Sequence, residues 1–141
     1  MSVNTLSRGP ASLVLAVLAA AGLGYDAYVH LDLADVYDGV GGTITQGGLF
    51  RVEAVLAIVA AVAVLLFDHR LAWAFAGMVG LGGVAAVVLY RYVDVGAIGP
   101  IPNMYEPVWY DKKTNSALAE AGVGLVWMVR EAMRYSASRV R

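Results

Sequence analysis

Apolar residues in this chain do not alternate with polar ones or recur on one stripe; they come in blocks. Near-continuous apolar stretches cover about 11–30, 49–67 and 71–93, and a less pure one covers about 116–133. Each is long enough to cross roughly 30 Å of hydrocarbon, where an unpaired backbone forces a helix. The pattern predicts an all-α fold, a polytopic membrane four-helix bundle forming a single transmembrane domain over 1–141. Outer loops are expected at 31–48 and 94–115. Only Asp68-His69-Arg70 separates the second and third spans, which predicts an antiparallel hairpin with a very tight connection. The fourth span carries Glu120 inside and ends in Arg130-Glu131, so a helix lying in the interface competes with a spanning one.

Composition agrees with the blocks. Of 141 residues, 60% are hydrophobic and 15% charged, with mean hydropathy +0.67, whereas soluble domains are about half apolar and a quarter charged. So small a globule has too little interior for that apolar surface, and the bilayer must take the excess. A net charge of -1 offers nucleic acid no basic field. The absence of cysteine excludes disulfides, iron–sulfur clusters and thiolate zinc sites. Arg8 followed by an apolar run to Ala19-Ala20-Ala21 also has the form of a signal peptide, but a retained first span is expected.

Arginines set the orientation. Arg8, Arg70, Arg130, Arg134, Arg139 and Arg141 fall on the side of the tight turn, whereas the first long loop carries Asp32, Asp35 and Asp38 and has no Lys or Arg before Arg51. Lys112 and Lys113 weaken this bias without reversing it. Both termini are therefore expected in the cytoplasm of a plasma-membrane protein. Small residues at four-residue spacing mark helix contacts: Ala72, Ala76 and Gly80 with Gly77, Gly82 and Gly83; Ala57 and Ala61; Gly122 and Gly124.

Ionisable residues within spans are costly and normally face the interior. Gly22, Asp26 and His30 share one stripe of the first span, and Glu53 shares the stripe of Ala57, Ala60 and Ala61. Arg51 points away from Glu53 and is expected to snorkel. Arg91 aligns with Val87, Val84, Gly83 and Gly80, and Glu120 with Gly124 and Trp127. All five polar positions, Asp26, His30, Glu53, Arg91 and Glu120, fall in the outer half, and the inner half has no polar path for a channel. Three carboxylates against one arginine leave a negative set that needs a protonated His30, a neutral carboxyl, or a bound cation. The competing reading is a structural ion-pair network around Arg91. Carboxylates and histidine from facing helices can bind iron, manganese or zinc, but the paired Glu-x-x-His motifs of di-metal bundles are missing. Haem held by two histidines fits less well still, because His69 is expected at the opposite end from His30, too distant for one iron to reach both.

Asp32, Asp35 and Asp38 repeat every three residues on an amphipathic extension of the first helix, read as a solvated face rather than a calcium loop. The second loop, from Gly99-Pro100 to Trp109-Tyr110, holds three prolines and many apolar residues, so it should pack as a lid. Tyr105 and Glu106 are expected to reach into the outer pocket, with Trp109 and Tyr110 in an interfacial aromatic belt.

His30-Leu31-Asp32-Leu33-Ala34 before a glycine-rich turn, together with Tyr105-Glu106-Pro107-Val108-Trp109-Tyr110, resembles uncharacterised small four-span integral membrane proteins of high-GC Gram-positive bacteria. The resemblance would cover nearly the whole chain. It implies a bacterial plasma membrane and four helices, and supplies no activity, cofactor or site residue.

Three functions fit these features. The first is an outer-leaflet pocket of Asp26, His30, Glu53, Arg91, Glu120, Tyr105 and Glu106 binding a small amphipathic ligand, a lipid or quinone, or an ion. The second is an accessory subunit of a larger membrane complex, or a homodimer, joined through glycine-rich faces. The third is an enzyme with a His/carboxylate acid–base pair; no Gly-x-Ser-x-Gly, His-Glu-x-x-His or phosphate loop supports it, and no catalytic residue is assigned.

Overall fold

The computed structural model describes residues 8–140, among which there are four long α-helices and no strand. They are α1 Pro10–Ala34, α2 Gln46–Leu66, α3 Arg70–Tyr92 and α4 Asp111–Arg139. Arg141, counted above among the inner cations, lies outside the described residues. Three helices are long and apolar enough to cross a membrane: α1 with its continuation to Tyr37, α2 and α3. Helices of that kind mark a membrane protein.

Local chemistry sets the ends. Pro10 opens α1, where its missing N–H leaves no bond unmade. Thr45 caps α2, its hydroxyl accepting from the Gly48 N–H at 2.9 Å. His69 caps α3, its Nδ1 accepting from the Leu71 N–H at 3.2 Å. The acidic extension of α1 is real: the helix runs to Ala34 and a 3-10 turn continues it over Asp35–Tyr37. α4 begins five residues before the expected 116 and ends six after 133, because apolarity marks membrane depth rather than helix length.

α1 packs on α2 and α4, α3 packs on the same two helices, and α1 and α3 scarcely meet, so they lie diagonally across a closed ring. The interior is small and the exterior large. Ala16, Ala19, Ala54, Ala57, Ala60 and Ala76 are buried, while Leu13, Val17, Val52, Val55, Ile58, Val59 and Val62 face outward. That arrangement suits lipid, where close backbone approach rather than apolar burial holds helices together.

Glycines make the closest approaches. A Cβ on Gly80 would lie 2.7 Å from the Glu120 carbonyl oxygen, one on Gly22 would lie 2.8 Å from Val123, and Gly77 and Gly124 accept Trp127 and Leu81 against their backbones. Gly122 and Gly82 depart from the expected seam, since a Cβ on either meets nothing within 4 Å.

One knot of polar groups ties all four helices together at the tight-turn end. Arg130 of α4, 3% exposed, donates to Asp68 Oδ1 at 2.7 Å and to Glu131 at 2.8 Å, with its guanidinium 4.9 Å from the Trp73 ring centre. Trp73 Nε1 donates to the same Asp68 oxygen at 3.1 Å, and Ser12 of α1 to the other at 2.8 Å. Arg8 donates to the last carbonyls of α2, Val64 and Leu65. Partial burial would push the Asp68 carboxyl up, but the Arg130, Ser12 and Trp73 donors outweigh it and hold it below the ordinary carboxylate range.

Candidate functional site

The opposite end is built differently. Asp26 and His30 stand one turn apart near the end of α1, and Ser116 and Glu120 stand one turn apart near the start of α4. Ser116 Oγ donates to Asp26 Oδ1 at 2.8 Å. His30 Nδ1 lies 2.9 Å from the same oxygen and 3.0 Å from the Asp26 carbonyl oxygen. A carbonyl only accepts, so Nδ1 carries hydrogen and, in the neutral ring, Nε2 keeps the lone pair. Phe50 of α2 meets the imidazole edge-on, 5.1 Å between ring centres.

Glu120 has the most unusual seat. It is 1% exposed, neither carboxylate oxygen meets an N–H or hydroxyl donor, its carboxyl faces that of Asp26, and a Cβ on Gly83 of α3 would lie 2.5 Å from its Oε1. Glycine on α3 therefore makes room for the carboxylate. Asp26 Oδ2 and Glu53 Oε1 are likewise buried without partners.

A cavity of about 210 Å³ opens beside this group, between the end of α1, α2, α3 and the start of α4. His30, Glu53, Gln46, Ser116 and Lys113 supply polar wall; Leu49, Phe50, Gly82, Ala86 and Val87 supply apolar wall. The second loop covers it through Met104, Glu106 and Tyr110, as expected of a lid. The loop is fixed by its own bonds. Gly99 adopts φ 56°, a left-handed value suited to glycine, in the turn that closes Ile98 onto Ile101 with two 3.0 Å hydrogen bonds. Asn103 donates to Asp94 at 2.8 Å, and the Glu106 N–H donates to the Tyr90 carbonyl at 3.0 Å.

Asp26, His30, Glu53 and Glu120 thus gather as expected, and Glu106 reaches the cavity. Tyr105 does not: it is 40% exposed, and its backbone N–H donates to Asn103 at 2.9 Å. Arg91 does not join the acids either. Its guanidinium lies 4.8 Å from the Tyr92 ring centre and 5.9 Å from that of Trp109, because a long cation in the last turn of α3 reaches the loop's aromatic faces more readily than the interior.

The cation beside the cavity is Lys113, which was counted above only as loop charge. Its Nζ donates to the Glu106 and Val108 carbonyls at 2.8 and 3.1 Å and lies 3.5 Å from Glu106 Oε2, so it pins the lid. Lys113, Ser116 and Glu120 follow one another at helical spacing, and that spacing was the signal available in the sequence. Tyr110 leaves the expected belt to line the cavity, and Tyr37, outside the lining, bonds to its hydroxyl and to Glu106. Tyr37 donates to Glu106 at 2.7 Å, and the two hydroxyls lie 3.1 Å apart.

The acidic turn is solvent-exposed, and its three acids are also paired. Arg51, expected to snorkel, donates to Asp35 at 2.6 Å and to both Asp38 oxygens at 2.6 and 2.8 Å, while Lys112 pairs with Asp32. The Arg51 hydrogen bonds hold the Asp38 carboxyl below its ordinary range.

No family model, curated protein or solved structure matches the chain. The reading of the site rests on its own chemistry. Ser116, Asp26 and His30 do not form a nucleophilic triad, because the carboxylate stands between the other two and the serine proton points at it rather than at the imidazole. The arrangement can bind: it offers acids and an imidazole at one wall, an ammonium at the lid, and an apolar floor.

Proposed function

We propose that this is a four-span plasma-membrane protein whose cavity, at the outer end, holds the polar head or ring of a small amphipathic molecule such as a lipid or quinone. The observation that carries the reading is the cavity itself. Its volume of about 210 Å³ suits one substituted ring, since ~150 Å³ already admits benzene, and is too small for a whole amphiphile. The tail must lie outside. Gly82 and Ala86 line the cavity and are also exposed on α3, and a Cβ on Gly82 meets nothing within 4 Å, so the cavity opens sideways between α2 and α3.

The fourth span is supported by the faces of α4. Its polar residues Ser116, Glu120 and Arg130 are buried, and the outward positions over 118–133 are Leu118, Ala121, Leu125, Met128, Val129, Ala132 and Met133. That apolar face is roughly 24 Å long at 1.5 Å per residue. Orientation follows from the cation count. Among the described residues Arg8, Arg70, Arg130, Arg134 and Arg139 lie at the tight-turn end, against Arg51, Arg91, Lys112 and Lys113 at the cavity end. An excess of Lys and Arg favours the cytoplasm whether or not acids pair with them.

Native mass spectrometry of the protein released from mild detergent tests the reading. One co-purified or reloaded amphiphile per chain is expected, with at least tenfold weaker retention in Lys113→Met and Glu53→Gln at unchanged helical content. Retention equal to wild type in both variants, or no retention after loading with phospholipid or a short-chain quinone, would overturn it.

A further inference from the structure

We propose that Asp26, His30 and Glu120 form a binding site for one divalent first-row transition-metal ion. One ligand atom from each residue lies within 4.8 Å of the others. A metal bound at ~2.0–2.2 Å to each would draw such atoms to roughly 3–4 Å apart, so a contraction of about an ångström completes the set. Two helices supply the trio, α1 and α4, and a third backs it, since the Glu120 carboxylate lies against the bare backbone of α3 at Gly83.

Unspent coordination points to an ion. Asp26 and Glu120 are each 1% exposed, and Asp26 Oδ2 and both Glu120 oxygens meet no N–H or hydroxyl donor, the two carboxyl groups facing each other instead. Buried oxygens of this kind are seldom left bare, and a carboxylate needs positive charge or donors in low dielectric. Neither nearby cation pairs with it: Lys113 bonds to the lid carbonyls, and the Arg91 guanidinium lies against the Tyr92 and Trp109 rings with no ion pair to either acid. Two ionised carboxylates match the charge of one divalent ion.

Donor type narrows the metal. One imidazole with two carboxylates, and Ser116 or Glu53 within reach of the same cavity wall, is a nitrogen–oxygen set suited to zinc, manganese or iron(II). Calcium favours an all-oxygen shell, and the imidazole nitrogen of His30 counts against it. The site adjoins the amphiphile cavity but does not depend on it, and the ion can be bound whether or not a head group is.

The test is zinc(II) binding to the full chain in detergent, with metal counted per protein after desalting, in the presence of excess magnesium. About one zinc per chain is expected, with at least a hundredfold lower affinity in Glu120→Gln and His30→Gln at unchanged helical content. X-ray absorption of zinc-loaded wild type gives a second readout that needs no variant: a nitrogen/oxygen shell with imidazole scattering is expected. Zinc no higher than in a protein-free blank, zinc retained equally by both variants, or a shell without imidazole would overturn the assignment.

Discussion

Arg130→Ala is expected to destabilise the protein by roughly 3 kcal/mol in detergent. Breaking a buried ion pair costs ~3–5 kcal/mol, and the lower end applies because the Asp68 side chain is 29% exposed. The guanidinium joins α4 to the turn between α2 and α3 and stacks on Trp73, so its loss frees α4 from both. Arg130→Lys should recover only part of the loss, since an ammonium neither stacks as a plane nor spans the two Asp68 and Glu131 contacts. Acid should act on the same knot. The Asp68 carboxyl is held below its ordinary range when folded, so its contribution is complete above the unfolded value of ~3.9 and is lost as pH falls through the folded one. Thermal melts from pH 7 to 3 should therefore show stability falling at the acid end, less steeply in Arg130→Ala. Melting within about 2 °C of wild type across that range would show that the knot is ornamental.

Gly77→Ala and Gly80→Ala should each cost about 1–3 kcal/mol, with Gly77 at the upper end. The added methyl would run into the Trp127 ring from position 77 and into the Glu120 carbonyl oxygen, 2.7 Å away, from position 80. Neither ring nor backbone can yield without parting α3 from α4. Gly24→Ala and Gly122→Ala are chemically identical changes within helices, but a Cβ there meets nothing within 4 Å. Alanine is the better helix former by ~1 kcal/mol, so these two should be neutral or stabilising. Opposite signs from one substitution type would tie the effect to helix approach. Equal effects at all four positions would assign it to glycine's backbone entropy instead.

The spans were legible because hydrophobic blocks end at strong punctuation: Asp68-His69-Arg70 separates α2 from α3 within one residue of the expected ends. α4 was less legible because its ends are polar and one face carries buried Ser116, Glu120 and Arg130, so block-averaged hydropathy hides a helix whose outward face is apolar. Short acidic side chains were placed well. Asp26 and Glu120 reach little beyond their own helix face, and helical period fixes that face. Long cations were placed poorly. Arg91, Arg51 and Lys113 can each reach any partner within several ångströms, and loop conformation, which the period does not encode, selected Trp109, the Asp35–Asp38 turn and the lid carbonyls. Tyr110 moved from belt to cavity for the same reason: the turn into α4 aims it at Tyr37.

The most direct measurement is an experimental structure of the protein in a native-lipid nanodisc. The account predicts a non-protein molecule whose head lies among Glu53, Ser116 and Lys113 and whose chain leaves between Phe50 and Gly82 into the bilayer. A cavity closed by Phe50 against Ala86, with lipid bound elsewhere, would contradict it.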